Sequence, residues 1–396
     1  MAQLVVVGGG IGGLATALAA ARHGHRSVVL ERSKRFAELG AGIQLAPNGI
    51  HALNRLGVGR PLQDCAVHID ELRFMDGITE EHVVSLPFTE DYRRRFGNPY
   101  VVVHRGELYT VLLAACQDSD LIELRAGNTV TSYEQDATGA TVVLDSGARL
   151  TGDGVIGADG IHSALRQHML ADGEPRISGI VVYRDIVPIE RVPEELRWNA
   201  VTWWAGPKCH LVHYPIANGT YLNLAGSRDN DTTEAFAGVP VQRADVYREF
   251  TPLGATAHRL LELGRNWKSW VLVDRDPVPN WTDGRVTLLG DAAHPMLHYV
   301  AQGACQALED AVVLGDLLDC SAAELPQRFE KYNAQRQERT AQVQRLARDS
   351  IALWHAAGDR AVARNAALSA MSATDLHDYV EWMHGARGFG ADTPGP

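Results

Sequence analysis

Gly8, Gly10 and Gly13 stand in the order G-x-G-x-x-G within "VVVGGGIGGLATALAAARHG", and an acid, Glu31, follows eighteen residues after the last of them. Residues of these types at this spacing are suited to holding a pyrophosphate. The first glycine permits a tight turn, the second lets phosphates approach the backbone, and the third lets a helix pack on a strand. The helix N-terminus then offers oriented N–H donors and partial positive charge. Glu31 is expected to hydrogen-bond both hydroxyls of an adenosine ribose. Ile11 and Gly12 complete the loop and Arg32 follows the acid. The bland alternative is a glycine-rich turn that serves packing only. NAD and FAD share this fingerprint, so it does not choose between them.

The elements around the fingerprint give it context. Leu4–Val7 reads as a buried parallel strand, Leu14–Ala21 as a helix ended by Gly24, and Arg26–Glu31 as a second strand. Asn48 is expected to cap a helix that carries Ile50, Leu53 and Leu56 on one stripe and closes at Gly57. A helix over Leu108–Cys116 follows "VVVHR", and residues 129–151 read as antiparallel strands joined by tight turns. "VIGADG" looks like another buried strand. From 177 to 282 spaced aromatic and β-branched segments predict a mixed sheet, after which "RVTLLGD" returns to buried-strand texture and 304–356 to helix. The expected fold is α/β: a Rossmann-like dinucleotide domain over 1–176 and 283–385, including C-terminal helices, with a substrate-binding β-sheet domain inserted at 177–282. Residues 386–396, ending "GFGADTPGP", have the composition of a disordered tail.

Composition narrows the partners. With 396 residues, 45% hydrophobic and 21% charged, the chain can bury a full core. Its net charge of -11 supplies no basic field for nucleic acid. Five scattered cysteines without C-x-x-C or paired histidines predict free thiols, no metal site and a cytoplasmic setting. The apolar N-terminus lacks the charged region of a signal peptide, and no run is long enough to span a membrane.

Three distant stretches bear on the choice of cofactor. "HRGEL" places Arg105 at a helix start, "GADGIHSALR" places Asp159 at a strand end, and "GDAAHP" does the same for Asp291. Together with "GGGIGG" this ordered set resembles the single-component FAD-dependent aromatic hydroxylases built on the para-hydroxybenzoate hydroxylase fold, whose dinucleotide domain is of the glutathione reductase type. "YRRRFGNPYVVVHRGEL", "GPKCHLVHYP" and "DRDPVPNWTDGRVTLLGDAAHP" look most like 3-hydroxybenzoate 6-hydroxylases, with salicylate hydroxylases more distant.

The resemblance implies FAD reduced by NADH or NADPH, oxygen added at flavin C4a, and OH passed from that hydroperoxide to a phenolic aromatic carboxylic acid. It places Asp291 on a ribityl hydroxyl, with Pro295 turning the chain past the isoalloxazine. Gly303 and Ala304 open a helix aimed at flavin N1 and O2. Arg105 becomes a cofactor contact, and Asp159 lies between the pyrophosphate and the nicotinamide substrate. Arg166 belongs to the same motif as a support.

A phenol reacts better as its proton leaves, so a general base is expected near it, and histidine suits neutral pH. In "CHLVHYPI" strand alternation puts His210, Val212 and Tyr214 on one face and Leu211 and His213 on the other. Residues alone leave His210 structural; the resemblance makes it the base and Tyr214 a donor to the substrate. His298 stands where similar hydroxylases carry glutamine, with Gln302 a candidate to recover the amide. Trp203, Trp204, Trp354 and Trp382 are expected to serve packing, and the helices of 340–385 a homodimer surface. The alternatives are an epoxidase or hydroxylase of an indole or other larger aromatic, a decarboxylating salicylate-type hydroxylation, an NAD-only dehydrogenase, and a non-catalytic flavin module.

Overall fold

The computed structural model describes residues 1–37 and 40–389. Strand Gln3–Val7 lies inside a six-stranded sheet whose order is Thr282–Asp283, Val286–Leu288, Gly154–Gly157, Gln3–Val7, Arg26–Glu31 and Ile122–Ala126. All neighbours are parallel except the first pair. Both faces of a parallel sheet are covered, which is why Leu4, Val5 and Val6 run consecutively apolar and lie fully buried. The sheet takes strands from distant parts of the sequence, so the "GADG" and "GDAAHP" loops leave strand ends beside the glycine loop.

A second, eight-stranded sheet is ordered Val239–Pro240, Lys268–Asp274, Arg176–Pro188, Tyr221–Asp229, Cys209–Ile216, Ala200–Gly206, Glu71–Asp76 and His82–Pro87. Its last two strands correct the expectation that residues 177–282 supply it alone. Glu71–Asp76 pairs in parallel with Ala200–Gly206, a long-range contact that no local pattern announces. One face of this sheet packs Val181, Leu211, Leu222 and Leu224 against Val246, Phe250 and Leu260 of the overlying 243–263 helical segment. Because strand side chains alternate, Arg184, His210, Tyr214 and Asn223 emerge on the other face.

Two local expectations change. The helix at 47–55 starts on Pro47 with Ala46 as its cap, and Asn48 is not the capping residue. Proline presets the backbone angle of a first helical turn, which frees the fully buried Asn48 to donate to Gln302 Oε1 at 2.9 Å and Glu309 Oε1 at 2.6 Å. The chain also stays packed beyond 385: Ala386 and Phe389 are buried, and Arg336 donates to the Phe389 carbonyl. The rest of the expected tail, 390–396, lies outside the described residues. Among the described residues no helix is long and apolar enough to cross a membrane.

Candidate active site

The glycine loop is shaped by close backbone approach. Gly8 has φ +108°, and a Cβ there would meet the Ala158 carbonyl oxygen at 2.2 Å. A Cβ on Gly13 would fall 1.9 Å from the Gly8 carbonyl oxygen, whereas one on Gly10 would meet nothing within 4 Å. Gly8 and Gly13 therefore fix the turn while Gly10, Ile11 and Gly12 line a cavity of about 360 Å³. Glu31 stands beside the loop, its carboxylate accepting from Gly9 N at 2.9 Å and Ser33 N at 2.8 Å. Arg32 is exposed next to it.

The "GDAAHP" segment forms the cavity's next wall. Asp291 faces the space without a cap role and is exposed to it, yet the surrounding protein desolvates its carboxyl and pushes the pKa up against the pull of His294 and Arg105. Arg166 is fully buried and fastens the segment, donating from Nη1 to the carbonyls of Ala292 at 3.0 Å and Ala293 at 2.6 Å and from Nε to Asp172 at 2.8 Å. His294 turns away to Asp310 at 2.5 Å. Helix Gly303–Leu317 then opens on the cavity with Gly303 and Ala304 in its lining and no side-chain cap, so its first N–H groups point into open space. Arg105, the first residue of helix Arg105–Gln117, lines the same cavity.

Asp159 and Pro295 do not line it. The Asp159 carboxylate accepts from Ala164 N at 2.9 Å and Leu165 N at 3.4 Å at the start of helix Ala164–Leu170, and burial pushes its pKa up. The Pro295 carbonyl accepts from Gln344 at 3.0 Å. Gln302 is likewise withdrawn: its Oε1 accepts from Asn48 at 2.9 Å and Gln306 at 3.0 Å, so it does not restore an amide at the position of His298.

The far end of the cavity is the polar face of the eight-stranded sheet, where His210, Val212 and Tyr214 all reach it. His213, on the opposite face, accepts from Trp204 Nε1 at 3.2 Å. His210 is 2% exposed, and burial holds its pKa well below 6.5. His298 also faces the cavity, contacts Ser227 Oγ at 3.2 Å, and is pushed down to about 3, first by burial and then by Arg184.

A sequence family described as an FAD binding domain matches residues 1–347. The chain is 45% identical over 388 residues to 3-hydroxybenzoate 6-hydroxylase 1 of Aquipseudomonas alcaligenes, covering 97% of each chain. It is 39% identical to 3-hydroxybenzoate 6-hydroxylase of Polaromonas naphthalenivorans (strain CJ2), covering 96% of this chain and 95% of that one. The solved structure of Klebsiella pneumoniae HpxO complexed with FAD and uric acid superposes with a TM-score of 0.85 at 26% identity, covering 98% of this chain and 97% of the other. The chain belongs to the FAD-binding family.

FAD fits what this flavoprotein offers. The space above Gly10, the uncapped N-terminus of helix Gly303–Leu317 and the Asp291 carboxyl exposed to the cavity all face one continuous space, where they suit pyrophosphate, flavin and ribityl chain respectively.

Sequence reasoning missed several residues at the substrate end. Arg184 lines the cavity, its Nε has no hydrogen-bond partner, and among the described residues no carboxylate pairs with it. Desolvation lowers its pKa, opposed by Tyr214. An arginine set among the apolar residues of "IVVYRDIVP" was the available signal. Trp203 and Trp354 stack at 5.2 Å in the cavity wall, where packing alone was expected of them; Trp204 does lie in the core. Gln44 accepts from Tyr100 at 2.7 Å beside Tyr214.

Proposed function

We propose that this FAD-dependent aromatic monooxygenase hydroxylates 3-hydroxybenzoate at ring position 6, giving 2,5-dihydroxybenzoate with NADH or NADPH and O2 as co-substrates. One observation carries the reading: the cavity that begins at the glycine loop ends on a sheet face offering an unpaired guanidinium, Arg184, and a neutral imidazole, His210. These suit the two polar ends of a hydroxybenzoate. The names of the two similar proteins from Aquipseudomonas and Polaromonas support the same substrate.

In this reading Gly10, Ile11 and Gly12 receive the pyrophosphate, Glu31 the ribose, Asp291 a ribityl hydroxyl, and the N–H groups of Gly303 and Ala304 the flavin N1 and O2 edge. Arg105 approaches the cofactor from the side. Reduced FAD and O2 together supply an electrophilic oxygen when bound. Arg184 holds the substrate carboxylate, Tyr214 donates to the substrate, and His210 accepts the phenolic proton. Loss of that proton drives electron density to the ring carbons ortho and para to the oxygen, and position 6 is the para carbon. Trp203, Trp354 and Val212 exclude water around it, while His298 faces the ring in place of an amide. Five free cysteines support a reducing, cytoplasmic setting. Exposed Val362 and Tyr379 on the C-terminal helices support a homodimer.

His210→Asn tests the assignment. FAD content is expected to stay full while NADH oxidation turns toward hydrogen peroxide and product formation falls by about 10²- to 10⁴-fold. Product per NADH is the measurement, taken across 3-hydroxybenzoate, salicylate and other hydroxybenzoates with product identification. Coupled turnover that is best with salicylate and releases CO2 would overturn the substrate, and unchanged coupling in His210→Asn would remove the base.

A further inference from the structure

His210 does not end the polar chain. Its Nδ1 lies 3.0 Å from Nε2 of His355, the residue that closes the thirty-residue helix Leu325–Trp354. The Tyr299 hydroxyl approaches the same Nε2 at 3.2 Å. His355 Nδ1 is buried without a partner, and its ring does not line the cavity. With His210 Nδ1 engaged in this way, the other ring nitrogen, Nε2, is left for the cavity side.

We propose that His355 acts through His210 as the second station of a proton relay, taking from His210 Nδ1 a proton as His210 Nε2 accepts one from the substrate hydroxyl. The proposal rests on the reading of His210 as the base. In the resting pair His210 carries its proton on Nδ1 and donates it to His355 Nε2, so His355 carries its own on Nδ1. When the substrate O–H breaks, an Nε2–H bond forms on His210, its Nδ1–H bond breaks, and an Nε2–H bond forms on His355. The substrate is left as phenolate, His210 is again neutral in the other tautomer, and His355 is an imidazolium. Tyr299, a donor to Nε2 before the transfer, turns its oxygen to accept afterwards.

The surroundings favour charge on His355 over charge on His210. Among the described residues no carboxylate forms an ion pair with either ring; such contacts occur only at His23 and His294. His355, however, stands at a helix C-terminus, where unsatisfied carbonyls stabilise a cation. It is 8% exposed against 2% for His210. The groups facing the pair are Tyr299 and His298 from the 298–300 turn, Trp354 from the helix itself, and Arg228 from strand Tyr221–Asp229. Burial and then Arg228 hold His355 at about 4, so it starts neutral and able to receive.

The test separates relaying from mere orientation. In His355→Gln the amide oxygen still accepts from His210 Nδ1 and keeps the tautomer, but cannot take a proton. With oxidised holoenzyme and 3-hydroxybenzoate, without NADH, the ultraviolet difference spectrum reports phenolate formation as pH is varied. We expect His355→Gln to bind the substrate with unchanged KM, to move the ionisation midpoint up by at least one pH unit, and to lower kcat about 10- to 100-fold. In His355→Ala, added imidazole should restore both. A wild-type midpoint and kcat in His355→Gln overturn the relay. His210→Asn is the control: if it too leaves phenolate formation unchanged, the base assignment itself is wrong and the relay falls with it. Should either His355 variant lose FAD, Tyr299→Phe gives the same spectral readout, with a midpoint displaced in the relay and unmoved without it.

Discussion

At Arg184 a guanidinium nitrogen is buried on a sheet face with no carboxylate to meet it among the described residues, while Arg336 and Arg339 elsewhere are fully paired with Glu309 and Asp310. Burial of an unpaired charge is costly unless something else completes it, and the cavity it lines is where an anionic substrate would do so. Arg184→Met is therefore expected to raise KM for 3-hydroxybenzoate about 10- to 100-fold, the loss of a charged hydrogen bond of about 1.5–3 kcal/mol, while barely changing the response to 3-hydroxybenzamide. Steady-state kinetics with both compounds check this. An equal loss for acid and amide would make Arg184 a packing residue. Period-two alternation puts His210 and Tyr214 on one face, and the resemblance to the aromatic hydroxylases is what aimed that face at the substrate. Arg184 was not legible in advance, because alternation says which residues share a face and nothing about which face holds the cavity. His355 was further out of reach, since a contact between residues 145 apart in sequence leaves no local pattern.

At the level of elements, the site depends on a strand, a loop and a helix meeting within a few ångströms. The Cβ of an alanine at Gly13 would stand 1.9 Å from the Gly8 carbonyl oxygen, so helix Ile11–Arg22 must move away from strand Gln3–Val7 to admit it. Gly13→Ala is expected to cost about 1–3 kcal/mol and to release FAD on gel filtration. Flavin-to-protein absorbance and a thermal melt measure the two effects, and a stable, fully loaded variant would contradict the close approach. This fingerprint was readable because its spacing is local, although only Gly13 answers a steric demand made within a few residues; Gly8 is confined by the distant Ala158 carbonyl, and Gly10 leaves open space. The Asn48 cap was misread for the opposite reason. A polar residue at a helix start ordinarily caps it, but here a buried amide tie to Gln302 and Glu309, both more than 250 residues away, claimed the side chain. The eight-stranded sheet escaped its expected limits in the same way: strands 71–76 and 82–87 look like a local pair, and only the pairing of 71–76 with Ala200–Gly206 assigns them to it.

For the molecule as a whole, burial of neutral imidazoles sets how stability depends on pH. His213 and His384 are nearly solvent-free and pushed down to about 3, His355 to about 4, and His210 well below 6.5, desolvation being the first cause in each. A histidine with a depressed folded pKa protonates first in the unfolded chain, so unfolding takes up protons once pH falls below about 6.5. The stability such groups preserve is complete above that value and is lost as pH descends toward the folded pKa. At pH 5 each contributes a loss of up to ~2 kcal/mol, at about 1.4 kcal/mol per pH unit, and several together rival the 5–15 kcal/mol typical of a whole domain. Glu309 and Asp310 act in a separate window: Arg339, Arg336 and His294 overcome their desolvation and hold both carboxyls low, so their contribution persists until pH falls below the ordinary carboxylate range of about 4. Urea denaturation at constant ionic strength is accordingly expected to show a large drop in midpoint between pH 7.5 and 5, before the carboxylates titrate. A stability that holds flat to pH 5 and collapses only below pH 4 would mean that the carboxylates, and not the histidines, govern acid unfolding. His384→Phe, which removes one such imidazole from outside the cavity lining, should make the slope between pH 6.5 and 5 shallower while leaving turnover of 3-hydroxybenzoate in place.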